Sequence, residues 1–160
     1  MIHADYRYTL PVSPSAAFDY LANPANDAQW QSSCSQAELL GDAPEVGCRY
    51  RIVFNFLSRK MSFTGEISER ILDQEYGFKV VDGAFYYEGR YSFRPVEEGV
   101  EVHWQFAAEP GKFFGILPAS LIRKVLISQV EKDVVTLRKH FAALEALPVQ
   151  NGFTTLRETT

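Results

Sequence analysis

Basic runs, long apolar runs and paired-cysteine spacings are all missing from this 160-residue chain. Each absence removes a class of function. With a net charge of −4 and no cluster of Lys or Arg, there is no electrostatic footprint for nucleic acid. No apolar stretch approaches the roughly 20 residues of a bilayer span, so no transmembrane segment is expected. Met1-Ile2-His3-Ala4-Asp5 has no charged region followed by an apolar one, so no signal peptide is visible and the expected location is the cytoplasm. The two cysteines, Cys34 and Cys48, fit neither a CxxC nor a CxxH spacing, so no metal is expected. Each falls near the start of a successive short strand. In a hairpin those starts lie at opposite ends, beyond the ~7 Å Cα limit of a disulfide, and free thiols in a reducing compartment follow. A Ser-His-Asp order, HExxH and a glycine-rich phosphate loop are also lacking, and no cofactor is expected.

Aromatic side chains are what the chain has in quantity: 12 Phe, 8 Tyr and 2 Trp. Most fall on one parity of alternating segments. Ala4, Tyr6, Tyr8 and Leu10 make one half-buried strand. Pro11-Val12-Ser13-Pro14 breaks it, with Ser13 as a helix cap and Pro14 at the first helical position. Asn23-Pro24 repeats that device, which predicts two short helices ending near Ala22 and Trp30. From Ser35 the period is two. The inward sets are Ala37 and Leu39; Tyr50, Ile52, Phe54 and Phe56; Met61, Phe63, Gly65 and Ile67; Tyr76, Phe78 and Val80; Tyr87, Gly89, Tyr91 and Phe93; Val100, Val102, Trp104 and Phe106. Turns are expected near Ser58-Arg59 and at Asp82-Gly83. Seven strands joined by short turns make an antiparallel meander with one wet face.

A helix over residues 118–147 follows. It carries an apolar line at Leu126/Ile127, Val130, Val134, Leu137, Phe141 and Leu144, opposite Lys124, Glu131, Lys132, Lys139 and Glu145. That line needs a surface to cover, and the sheet is the only one large enough. The expectation is one α+β domain over residues 1–147, a seven-stranded antiparallel sheet against a long C-terminal helix, with a tail over 148–160.

This order of elements looks like the helix-grip fold. The segments Val12-Ser13-Pro14-Ser15-Ala16-Ala17-Phe18-Asp19-Tyr20-Leu21, then Asn23-Pro24 and Trp30, resemble the opening of the START-like (SRPBCC) superfamily. Tyr91-Ser92-Phe93-Arg94-Pro95-Val96-Glu97-Glu98-Gly99-Val100-Glu101-Val102 resembles its paired last strands, although many relatives carry Thr where Val100 stands. The nearest branch is the polyketide cyclase/dehydrase and lipid-transport proteins, relatives of the Bet v 1 birch-pollen allergens. The resemblance covers residues 4–147. It implies a curved sheet and a cavity, between sheet and helix, that takes a hydrophobic ligand.

Five tyrosines, Tyr8, Tyr50, Tyr76, Tyr87 and Tyr91, share the inward parity. Buried hydroxyls need partners, so they point to an interior with polar spots, unless several sit at sheet edges with their hydroxyls in solvent. The expected ligand contacts are Trp30, Tyr50, Phe54, Phe63, Phe78 and Tyr87, continuing through Tyr91, Trp104, Phe106, Phe113, Arg123 and Ile127. Arg123 falls in line with Ile127, Val130 and Phe141. It could anchor an anionic group at one end of a cavity, or snorkel to water, or pair with an outer-strand Glu. Phe113 and Phe114 lie between Gly111 and Gly115 and could gate the cavity, touch a surface or plug the core. His103, Glu66 and Glu88 fall on outward parity, and His3 and His140 on polar faces, so no base is expected inside. This reading favours a binder or carrier of a hydrophobic, partly oxygenated small molecule, lipid- or polyketide-like. The alternative is a cofactor-free aromatase/cyclase or dehydratase resting on Arg123 and Tyr87. Whether the chain forms a homodimer stays open.

Overall fold

A computed structural model describes residues 1–112 and 114–146; the expectations for Phe113 and the tail lie outside those residues. β1 (Ile2–Leu10) leads into α1 (Pro14–Leu21), a single 3-10 turn (Pro24–Asn26) and α2 (Asp27–Trp30). Six strands follow: β2 (Cys34–Leu39), β3 (Arg49–Phe56), β4 (Arg59–Ile71), β5 (Glu75–Gly83), β6 (Tyr86–Val96) and β7 (Gly99–Glu109). α3 (Ala119–Ala146) closes the described chain. The strands form one curled antiparallel sheet in the order β1-β7-β6-β5-β4-β3-β2. That is the α+β helix-grip architecture expected from the alternation and from the resemblance.

The local chemistry matches the elements. Ser13 Oγ accepts from the Ala16 N–H at 3.1 Å, and Asn23 Oδ1 accepts from the Ala25 N–H at 3.1 Å, so each proline-started helix is capped where its first N–H groups lack partners. The β3–β4 hairpin turns on Leu57 and Ser58, both with positive φ (49° and 65°), the paired left-handed geometry that suits the twist of a two-residue turn. β5 runs through Gly83, so the chain turns at Ala84-Phe85 rather than at Asp82-Gly83.

Two glycines explain how the sheet is paved. Gly65 pairs with Tyr50 across β3–β4, and Gly89 pairs with Phe78 across β5–β6. A Cβ on Gly65 would stand 2.2 Å from the Tyr50 ring, and one on Gly89 would stand 2.4 Å from the Phe78 ring. The rings therefore lie down over their cross-strand glycines instead of standing up into the interior. Floor space above the sheet is the result.

One end of the domain is solid. Leu10, Phe18, Leu21, Val100, Val102 and Leu137 are fully buried there, and burying a side chain of that size contributes roughly 1.5–3 kcal/mol. Val134 and Phe141 are buried too, as the apolar line requires, but Leu144 is 52% exposed, so the line ends one turn earlier than expected. β1 is an edge strand, and α3 covers its free carbonyls: Arg123 Nε donates to His3 O at 2.7 Å and the Arg138 guanidinium to Thr9 O at 3.2 Å.

Candidate functional site

The other end of the domain is hollow. Between the sheet, α2 and α3 lies a cavity of about 150 Å³. Of the expected contacts, Trp30, Tyr50, Phe54, Phe63, Phe78, Tyr87, Tyr91, Trp104 and Phe106 all line it. Tyr8 and Tyr76 join them. The rings hold one another: Tyr76 stacks on Tyr91 (centroids 6.0 Å apart, planes at 7°) and Trp104 on Phe106 (5.4 Å, 16°). Tyr87 meets Phe63 edge-on at 5.1 Å and lies 5.4 Å from Phe106. Phe114 is half-buried, packed against Phe56 (5.4 Å) and Phe85 (5.1 Å) at the end of the cavity; this favours a plug or gate over a surface contact.

Two expected contacts do not line the cavity. Arg123 is exposed and committed to the β1 edge, and Ile127 packs on the core beside it. The cavity face of α3 is Ile122, Leu126, Gln129, Val130 and Asp133. At about 100° per residue, Arg123 and Ile127 lie on the flank of that face which turns toward β1. A single apolar stripe drawn along the helix merges the two.

His103, Glu66 and Glu88 do sit on the outer face. His103 Nε2 lies 3.0 Å from Asp5, Glu66 pairs with Arg49 and Lys79, and Glu88 accepts from the Tyr86 hydroxyl. The expectation of no base inside, drawn from strand parity, nevertheless misses two carboxyls. Asp27 and Asp133 both line the cavity, from helices, where strand parity has no say. Asp27 opens α2 and is held by the connection before it: the Asn26 side-chain amide donates to Tyr20 O at 3.0 Å, and Tyr20 donates to Gln29 at 3.1 Å. The residue keeps some surface, yet loss of water around its carboxyl pushes its pKa well above the usual range. The Trp30 indole N–H lowers it by less, and that buried N–H reaches no acceptor at hydrogen-bonding geometry. Asp133 is 6% exposed, and its Oδ1 accepts from the Ser32 N–H at 3.0 Å. Burial raises its pKa as well, moderated by that bond and by Lys132. A sign was present in the sequence, since Asp133 stands three residues after Val130 and four before Leu137, on the stripe itself.

The five inward tyrosines are all nine-tenths buried or more, and none of their hydroxyls has a hydrogen-bond partner among the described residues. Burial pushes each of them up, further from ionisation. The Cys34 thiol behaves likewise, pushed up to about 12 by burial first and by Asp27 second. It is a free and inert thiol, and the half-buried Cys48 is free as well. No group of His, Cys, Asp and Glu suited to a metal occurs among the described residues, and no described helix is long and apolar enough to cross a membrane.

Solved structures share the fold. A protein from Thermus thermophilus superposes with a TM-score of 0.75 at 21% identity, over 90% of this chain and 99% of that one. A START superfamily protein from Mycobacterium smegmatis gives 0.72 at 12% identity, over 89% and 98%. The major latex-like protein 151 of Panax ginseng gives 0.68 at 13%, over 88% and 98%. No curated protein matches the chain. At the level of sequence families, residues 1–142 match the model described as polyketide cyclase / dehydrase and lipid transport, and with nearly the whole fold inside that match the chain belongs to this family.

Proposed function

We propose that the protein binds a hydrophobic, partly oxygenated small molecule in the cavity between sheet and helix. One observation carries this reading: an interior lined by rings also holds five tyrosine hydroxyls without protein partners among the described residues. Buried polar groups in native proteins are nearly always paired, so hydroxyls left free around a cavity fit a guest or water that pairs with them. Family membership supports the same class of guest. Size narrows it, because a dry cavity of about 150 Å³ accommodates a benzene-sized molecule. A lipid chain or long polyketide would need the Phe114 end to open. Burying ~200–300 Å² of ligand at ~25 cal/mol/Å² gives about 5–7 kcal/mol before association costs, so micromolar affinity is the expected ceiling. The two free thiols support a reducing, cytoplasmic location for this task.

Native mass spectrometry of protein purified from its own host tests the reading, alongside calorimetric binding of the neutral one-ring probe toluene. A retained mass increment and saturable probe binding that weakens in Tyr91→Ala and Trp104→Ala are expected. His103→Ala, on the outer face, should leave probe binding unchanged. No saturable binding, or binding lost only in His103→Ala, would overturn it.

A second reading, a cofactor-free cyclase or dehydratase, is favoured by Asp27 and Asp133. A carboxyl with a raised pKa can pass a proton near neutral pH, and a tyrosine hydroxyl such as that of Tyr87 can donate to a developing enolate. Turnover of a poly-β-keto thioester mimic that falls in Asp27→Asn and Tyr87→Phe but persists in Arg123→Gln would support it. Absence of turnover in the unmodified protein would end it.

A further inference from the structure

At the hollow end of the domain β3, β5 and β7 finish and α3 begins, and apolar side chains stand on the surface there. Ile116 is 101% exposed, Leu57 46%, Leu121 44% and Leu117 38%. Single exposed aliphatic residues are ordinary, but these four are carried by neighbouring segments. The Phe56 ring at the tip of the β3–β4 hairpin meets the Phe114 ring at 5.4 Å, and Leu57 and Ile116 lie one and two residues further along. Two backbone turns bring in the others: the Leu117 N–H donates to Phe114 O at 3.2 Å and the Leu121 N–H to Pro118 O at 3.0 Å. Cations accompany them. Arg59, Lys60, Lys112, Arg123 and Lys124 are all exposed on the same segments. Lys60, Lys112 and Lys124 have no ion pair among the described residues. Asp82 and Glu109, near the ends of β5 and β7, are the acids closest along the chain to this end. Residues 46–65 and 110–130 hold no Asp or Glu, in a chain with 20 acidic residues against 16 basic ones. The sequence shows no basic run because the fold, and not the chain order, joins these two acid-free stretches.

We propose that this end of the domain docks on a lipid bilayer that carries anionic headgroups. Leu57, Ile116, Leu117 and Leu121 enter the interface, and the five cations lie against the headgroups. This goes beyond the cavity reading and does not depend on it. The shape and the charge of the patch select the occupant. Ile116 is as accessible as in an extended chain, so the patch protrudes. A protein partner would need a socket fitted to it, whereas a bilayer interface yields to a protruding side chain. A second copy of the chain would set five cations against five. Anionic headgroups bring the opposite sign, and each Lys or Arg near such a surface contributes about fivefold to binding. Docking also bears on the cavity, because Phe114 and Ile122, which line it, belong to the same loop and helix start as Ile116 and Leu121.

The test is sedimentation of the full chain with vesicles of phosphatidylcholine alone and of phosphatidylcholine mixed with phosphatidylglycerol. Binding to the anionic vesicles should be about tenfold stronger or more, and should weaken as salt is raised. Ile116→Asp and Lys60→Glu should each lower it about fivefold or more. Both positions are exposed, so each variant should keep its fold and its toluene binding. Equal binding to the two vesicles, or none to either, overturns the proposal and leaves the cavity reading intact where toluene still binds. Failure of toluene alone removes the cavity reading and leaves this one. Vesicle binding that survives Ile116→Asp marks a contact with charge only, and a dimer that dissociates in Ile116→Asp marks a second copy as the occupant. Either result overturns the proposal.

Discussion

Across the cavity from each other, the sheet and the helices contribute different kinds of side chain. Tyr8, Tyr50, Phe54, Phe63, Phe78, Tyr87 and Tyr91 come from strands, and none of them is charged at neutral pH. From α2, α3 and the link after α2 come Asp27, Gln31, Ser33, Gln129 and Asp133. Backbone hydrogen bonding accounts for the division. On a strand inside the sheet every N–H is already used in the ladder, so a carboxyl standing on that floor would find no donor. Past the end of α2 the Ser32 N–H is free of helix and ladder alike, and it is the group that holds Asp133. Asp133 enters this interior where the backbone can still donate.

The two walls should therefore break differently. The largest loss is expected where α3 seats on the sheet. Val134→Asp puts a charge beside a supported one, Asp133, but at a position 3% exposed that lines no cavity and has no donor. It should cost roughly 3 kcal/mol or more. An unchanged melting temperature would mean that this face of α3 does not bear on the sheet. In the opposite wall, Gly65→Ala and Gly89→Ala each force a ring off its cross-strand glycine and up into the cavity. Overpacking of this kind costs about 1–3 kcal/mol, and probe affinity should fall more than stability does. If both substitutions leave probe binding intact, the rings do not define the floor.

Those same two walls differ in how far the sequence discloses them. The seven strands and their inward rings are legible because a period of two leaves only two possible faces, and the Tyr and Phe of each strand, Tyr86 apart, keep to one of them. The capped helices are legible from Ser13-Pro14 and Asn23-Pro24. Asp27 is not, because α2 has only four residues and no period to fix a face. Asp133 is hidden for another reason: it interrupts an apolar stripe, and a stripe is drawn through its apolar members. Arg123 misleads in the opposite direction. Nearness to the stripe does not make it face the cavity, because a helix packed in the grip of a curved sheet has a flank that meets the edge strand as well.

Asp27 gives the sharpest test of the helix wall through pH. Its folded pKa lies above its unfolded value of 3.8, so between the two the folded state holds more protons than the unfolded one. Stability falls as pH rises through that window and levels off above the folded pKa. Asp27→Asn removes the titration. The variant should be more stable than the parent at neutral pH and equal to it below the window, each kcal/mol recovered raising Tm by roughly 2–4 °C in a domain of this size. A parent protein whose Tm difference from Asp27→Asn is flat across pH would show that the carboxyl is not desolvated.

The smallest effect belongs to Arg123, and its smallness is informative. Its guanidinium donates to His3 O at 2.7 Å from an exposed position, where a hydrogen bond contributes about 0.5–1.5 kcal/mol at most and water can replace it. Arg123→Gln should lower stability by less than about 1 kcal/mol, and amide exchange along β1 should quicken slightly as the edge loses its cover. Ligand binding should not change, because the side chain lines no part of the cavity. Were probe binding instead to weaken in Arg123→Gln, the side chain at that end of α3 would have to be in contact with the guest. The cavity would then extend past Ile122 toward β1, and the partition into an aromatic sheet wall and an acidic helix wall would have to be redrawn with a basic group at its end.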